Sequence, residues 1–118
     1  MEQPFSLTSE VRDNRLIITT NGYVNNVGGA AIADEFQRHF LGGVRHVIID
    51  LALSRVVNSV GMSFLIEIIE KLTEDGGRLV FTNLDPSVDK MLGIMGLYDF
   101  AGKEATTEDA LRALAIRS

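Results

Sequence analysis

The chain has 118 residues and a formal net charge of −5, from 11 Lys+Arg against 16 Asp+Glu. This length is typical of one domain, and a hydrophobic content of 46% is enough to form its own core. The absence of cysteine excludes disulfides, thiolate metal sites and cysteine nucleophiles, and the acidic balance argues against nucleic-acid binding. With no leader-like N-terminus and no apolar run of the roughly 20 residues that cross a bilayer, we expect one cytoplasmic domain over residues 1–118, without membrane insertion.

The first part of the chain predicts a β-hairpin followed by a helix. Apolar and polar residues alternate up to a turn signal at Asp13 and Asn14, and a β-branched run follows at residues 15–20. After a break at residues 22–26, Ile32 and Phe36 recur at helical spacing until the glycine pair at residues 42–43.

The rest of the chain alternates strands with helices. Strands are predicted at residues 44–53 and 78–82, helices from about Ser59 to Asp75 and from Asp85, a short extended piece at 103–105, and a last helix from Thr106. The order β-β-α-β-α-β-α-(β)-α predicts an α/β fold with a mixed, mostly parallel sheet and helices packed on it. In such sheets the loops after the parallel strands form the binding edge, here residues 25–26, 58–59 and 85–87.

The sequence lacks the common catalytic and cofactor-binding motifs. There is no phosphate-binding loop, dinucleotide fingerprint, nucleophile elbow or zinc-protease helix. We interpret His39 and His46 as structural and Asp50, the best candidate for a functional carboxylate, as the end of a strand. Anion binding by Gly28 and Gly29 is a weaker interpretation than a tight entry into a helix. We therefore predict a protein that is not an enzyme and has no cofactor or metal.

The loop at residues 56–62 carries the most specific functional signal. Asn58 or Ser59 is expected to cap the helix that follows. A serine hydroxyl at a helix N-terminus is also well placed to carry a phosphate, because the helix dipole and free N–H groups stabilise the added charge.

The third predicted helix has more apolar residues than one buried face requires. Met91, Ile94, Met95 and Leu97 either form an adaptable partner surface or are covered by the sheet and the last helix. We favour the covered arrangement.

The order of elements and several motifs resemble the STAS domain, in particular bacterial anti-sigma factor antagonists. The loop at 57–62 (VNSVGM) is similar to the family's I-D-S-[ST]-G-L, and residues 47–51 (VIIDL) resemble its apolar strand ending in Asp-Leu. Residues 22–25 resemble the family's G-x-L-D element, and residues 77–81 and 91–97 resemble its fourth strand and third helix.

The resemblance implies a partner-switching protein without catalytic activity. Ser59 would be phosphorylated by an anti-sigma factor that is also a serine kinase, with a phosphatase as a further partner. The unphosphorylated form would bind that kinase and release the sigma factor. The residues expected to contact partners are Asn25, Asn26, Asn58, Ser59, Val60, Gly61, Met62 and Ser87.

Three positions depart from the family pattern. Asn58 and Asn25 stand where the family has aspartate, and Val60 replaces a small hydroxyl residue. Each Asp-to-Asn difference keeps the size of the side chain but removes a charge. These departures keep open an alternative, a STAS scaffold in another regulatory or lipid-transport complex in which Ser59 is not phosphorylated. A small enzyme or nucleotide-binding protein is a third and weaker alternative.

Overall fold

The computed structural model describes residues 4–115, which form one sheet with helices on both faces. The strands are β1 Ser6–Arg12, β2 Arg15–Asn21, β3 His46–Leu53, β4 Arg78–Thr82 and β5 Gly102–Glu104, and the helices are α1 Asn26–Leu41, α2 Ser59–Glu74, α3 Pro86–Ile94 and α4 Thr107–Ala113. A 3₁₀ turn at Leu97–Asp99 follows α3. The predicted α/β order is confirmed, with β5 as the short extended piece, one residue earlier than predicted.

The sheet has the strand order β1-β2-β3-β4-β5, with β1 antiparallel to β2 and every other pair parallel. The β1–β2 turn holds Asp13 at φ 53° and Asn14 at φ 65°, both left-handed. Aspartate and asparagine tolerate this conformation, which two-residue hairpin turns need to match the twist of the strands.

The central parallel strands β2, β3 and β4 are buried on both faces, which explains the unbroken apolar run in β3. On one face Val47 and Ile49 pack beneath α1, α2 and α3. On the other face Ile48 packs with Ala110 and Leu114 at α4. Because α4 packs on β3, β4 and β5, it lies across the sheet from α3.

The expectation that the apolar residues of α3 are covered is wrong for three of the four. Met91, Ile94 and Met95 are exposed, whereas Leu97 is buried. The physical reason is the position of α4, which cannot reach α3 through the sheet. Only Val88 and Leu92 of α3 lie in the core.

Candidate functional site

The candidate site is built where β2 and β3 end and two loops join side by side. The Gly22 amide donates to the Leu53 carbonyl at 3.0 Å, and the Val24 amide to Val56 at 3.0 Å. A parallel bridge between Val24 and Val57 continues the pairing beyond the sheet. These bonds place the N-termini of α1 and α2 next to each other.

Two glycines allow the helices to approach at this point. A Cβ atom at Gly61 would lie 2.1 Å from the Val24 carbonyl oxygen. One at Gly29 would lie 2.5 Å from the Phe64 ring and 3.2 Å from the Gly61 Cα. Gly61 is therefore part of the support for the site, beneath its surface.

Asn58 is the N-cap of α2, which decides between the two predicted candidates. Its Oδ1 accepts the Gly61 amide at 2.8 Å, and its carbonyl accepts the Met62 amide at 2.9 Å. Ser59 is then the first residue of the helix and is exposed. Within residues 4–115 its hydroxyl makes no hydrogen bond, so the hydroxyl is accessible for covalent modification.

Asn25 caps α1 in the same way. Its Oδ1 accepts the amides of Val27 at 3.0 Å and Gly28 at 3.1 Å, and its carbonyl accepts the Gly29 amide at 2.7 Å. The glycine amides considered for anion binding are thus already bonded. Asn26 begins α1 and is exposed, in the position that Ser59 occupies in α2.

The surface around Ser59 is apolar and free of carboxylates from the two loops and the first turns of α1 and α2. No Asp or Glu occurs in residues 15–33 or 51–66, and the charged side chain in the loops that follow β2 and β3 is Arg55. Exposed apolar side chains on these segments are Tyr23, Val27, Leu53, Val56 and Val60. In a chain of net charge −5, these two loops and the helix turns that follow them therefore carry no negative side chain.

The third loop of the same edge begins α3. Asp85 caps this helix, its Oδ2 accepting the Ser87 amide at 3.0 Å and the Ser87 hydroxyl at 2.5 Å. These two bonds, with a smaller contribution from the charge of Arg55, lower the pKa of Asp85. Ser87 is exposed at the predicted edge, but its hydroxyl is engaged, unlike that of Ser59.

Met62 lies beneath the surface as well. Its side chain is 2% exposed and belongs to the main core. Of the eight predicted contact residues, Asn26, Ser59, Val60 and Ser87 are exposed and the two asparagine caps are half-buried. Gly61 and Met62 hold the first turn of α2 in place. Leu53 and Val56 are not among the predicted contact residues, although their apolar character near a strand end was a signal that could have found them.

The other candidate groups have structural environments away from this edge. Asp50 accepts the Ala52 amide at 3.0 Å and the Thr107 hydroxyl at 3.4 Å, on the α4 face of the sheet. His39 contacts Glu35 at 3.2 Å near the end of α1. His46 lies in β3 between Arg15 and Arg78 of the neighbouring strands, and its buried Nδ1 has no hydrogen-bond partner in the described part of the chain. Burial and the charge of Arg15 lower its pKa.

Two other kinds of feature are absent from the part of the chain that the structure describes. No group of three or more His, Cys, Asp or Glu side chains there is arranged to hold a metal ion. Among residues 4–115, none of the helices has the length and apolar character needed to traverse a bilayer.

Comparison with known proteins identifies the family. The STAS domain model matches residues 6–111, so the chain belongs to the STAS domain family. It is 28% identical over 90 residues to BtrV of Bordetella bronchiseptica, a protein named as an anti-sigma factor antagonist, covering 76% of this chain and 78% of BtrV.

Solved structures share the fold. An anti-sigma factor antagonist from Mycobacterium paratuberculosis superimposes with a TM-score of 0.83 at 22% identity, over 97% of this chain and 98% of that one. The phosphorylated form of the Bacillus cell fate determinant SpoIIAA gives 0.73 at 21% identity, over 95% of this chain and all of SpoIIAA (100%). The chain therefore has the STAS fold found in anti-sigma factor antagonists.

Proposed function

We propose that this protein is an anti-sigma factor antagonist that binds an anti-sigma factor with serine kinase activity and is released when Ser59 is phosphorylated. Family membership and the named relatives support the class. The single observation that carries the proposal is the exposed hydroxyl of Ser59 at the first position of α2, which makes no hydrogen bond to any residue in the range 4–115. The proposal places the protein in the cytoplasm, where sigma factors meet RNA polymerase.

The unphosphorylated edge has the chemistry of a protein-binding surface. Val27, Leu53 and Val56 offer exposed apolar contacts, and the two loops that follow β2 and β3 carry no carboxylate that a partner would have to desolvate. The loops are fixed by the 3.0 Å bonds from Gly22 and Val24, so little ordering would accompany binding.

Phosphorylation would change this surface without disturbing the fold. The Ser59 oxygen forms a bond to the γ-phosphorus of ATP, ADP leaves, and the hydroxyl proton passes to a base of the kinase. The phosphate then lies at the positive end of the α2 dipole, where the N–H groups of a first helical turn lack intrahelical partners. Nearly two negative charges on an apolar contact surface oppose binding, and about 1.4 kcal/mol already weakens it tenfold.

Asn58 and Val60 are compatible with this switch. Asn58 preserves the helix cap through its 2.8 Å bond to Gly61 but places no second negative charge beside the phosphate. The same two residues also favour the second candidate, an unswitched STAS scaffold in another complex. The two functions differ in whether Ser59 is ever modified.

Phosphosite mapping on protein isolated from its own host separates the two. We expect intact mass and fragment analysis to find one phosphoryl group on Ser59 under some growth or stress conditions, and none on Ser59→Ala protein from the same host. Absence of the modification under every condition would reject the switch. A pull-down that then recovers a non-kinase partner would establish the scaffold.

A further inference from the structure

A second surface of the molecule lies away from Ser59, at the far end of α2. A groove of about 350 Å³ separates the C-terminal half of α2 from the segment that follows α3. Its apolar lining comes from Ile66 and Ile69 on α2 and from Met95, Leu97 and Phe100 on the other side. We call this surface the α2 groove.

The residues beside the α2 groove are unusually exposed for their type. Phe100 is 68% exposed and Met95 is 55% exposed. Single exposed apolar residues are ordinary, but a group that borders one groove marks an interaction site. Methionine also adapts its shape to a partner.

The rim of the groove is acidic. Glu70 and Glu74 line it, and the Asp99 carboxylate approaches Gly96, another lining residue. Within residues 4–115, none of these three carboxylates has a basic side chain within 4 Å, and no Lys or Arg lines the groove. The surface therefore combines an apolar floor with uncompensated negative charge.

We propose that the α2 groove docks a helical segment of a partner protein that carries apolar side chains flanked by lysine or arginine. Ile66, Glu70 and Thr73 lie at i, i+4 and i+7 on one face of α2, and such a face accepts an amphipathic helix alongside it. Apolar anchors would fill the floor, and basic side chains would pair with Glu70 and Glu74. The proposal is independent of the modification of Ser59.

The charge also argues against other occupants. A two-fold contact with a second copy would bring Glu70 and Glu74 close to the same carboxylates of that copy. Fatty acids and anionic phospholipids would likewise bring negative charge to an acidic rim. A basic segment is the occupant that the rim attracts.

The test uses the full chain, isotope-labelled for NMR, and two synthetic 14-residue peptides. Both peptides carry leucines at i, i+3, i+4 and i+7, with lysine at the other positions in one and glutamate in the other. We expect the lysine peptide to bind with a Kd below about 100 μM and the glutamate peptide at least about tenfold more weakly. Shifted amide signals should cluster at the groove.

Matched variants distinguish binding in the groove from nonspecific attraction to any charged or apolar surface of the protein. Glu70→Gln with Glu74→Gln should weaken binding of the lysine peptide about fivefold or more, because two ion pairs are lost. Asp34→Asn with Glu104→Gln removes the same charge elsewhere on the surface and should change the affinity for the lysine peptide less than about twofold. Phe100→Ser should weaken binding, whereas Leu41→Ser, equally exposed at the end of α1, should not.

Several results would overturn the proposal. These are no binding of the lysine peptide, equal binding of both peptides, equal losses in the control variants, or shifted signals that lie away from the groove. Concentration-dependent doubling of the mass in solution that Phe100→Ser abolishes would instead assign the groove to a second copy. If the groove binds and Ser59 is never phosphorylated, this inference stands while the proposed switch fails.

Discussion

The N-termini of α1 and α2 have the same local structure, but they differ in whether the first helical residue can be phosphorylated. Both helices have 16 residues, begin after an asparagine cap and have glycines in the first turn. The first residue of α1 is Asn26, which cannot be phosphorylated by a serine kinase. The first residue of α2 is Ser59, so the modifiable group lies at only one of the two adjacent helix ends.

The two glycine contacts differ in a way that stability measurements can resolve. Gly61→Ala would push a methyl group against the Val24 carbonyl, a backbone atom held by a hydrogen bond from the Asn58 amide. We expect a loss of about 3 kcal/mol in the free energy of unfolding, measured by urea denaturation. Gly29→Ala meets the Phe64 ring, which can rotate, so about 1 kcal/mol is expected.

Gly93→Ala is the control for these substitutions. Its Cβ would meet Tyr98 at 3.7 Å, an ordinary contact, and alanine favours the helix by about 0.5–1 kcal/mol. A loss at Gly61 no larger than that at Gly29 would show that the close approach of α2 to the 22–25 loop is not a constraint.

Substitutions of the two asparagine caps should give the next largest losses in the free energy of unfolding. Asn58→Ala removes the bond to the Gly61 amide, and Asn25→Ala removes bonds to two amides. We expect losses of about 1 kcal/mol for Asn58→Ala and somewhat more for Asn25→Ala in the same denaturation experiment.

Exposed Asn26 supplies the control for the caps. Asn26→Ala should change the free energy of unfolding by less than about 0.5 kcal/mol. Asn58→Asp should keep the cap and gain from the helix dipole, by about 0.3–1 kcal/mol. If Asn58→Ala proves as mild as Asn26→Ala, Asn58 does not cap α2 in solution.

The smallest expected effect is the pH dependence that His46 gives to the free energy of unfolding. His46 lies at the opposite end of β3 from the candidate site. The folded protein lowers the pKa of His46 below its ordinary value of 6.5, so the unfolded chain takes up this proton first. The free energy of unfolding should therefore fall as pH drops below about 6.5, and the His46→Gln variant should lose that part of the slope. Denaturation between pH 5 and 8 checks this, and an unchanged slope in the variant would contradict it.

The fold could be predicted from the sequence because its signals are local. The Asp13-Asn14 turn, the apolar run of β3 and the glycines after α1 each specify their own element. The exposure of Met95 and Ile94 could not be predicted in this way. It depends on the face of the sheet that α4 covers, which is a tertiary property.

The sequence predicts where the candidate site lies but not which of its residues form the surface. Both Asn58 and Ser59 are good caps by type, and only the bond to the Gly61 amide distinguishes them. Met62 belongs to the same motif as Ser59, three residues further on, yet its side chain lies in the core. Which residue of a motif supports a surface and which one forms it depends on packing across the sheet.

The most direct test of the proposed switch is the affinity for the proposed partner, an anti-sigma factor with serine kinase activity from the same host. It is measured by titration calorimetry with wild type, Ser59→Ala, Ser59→Asp and Asn26→Asp. We expect Ser59→Ala to bind within about twofold of wild type, Ser59→Asp to bind at least about tenfold more weakly, and Asn26→Asp to lose much less than Ser59→Asp. Equal affinities for all four proteins, or equal losses at Asn26 and Ser59, would contradict the claim that charge at Ser59 controls partner binding.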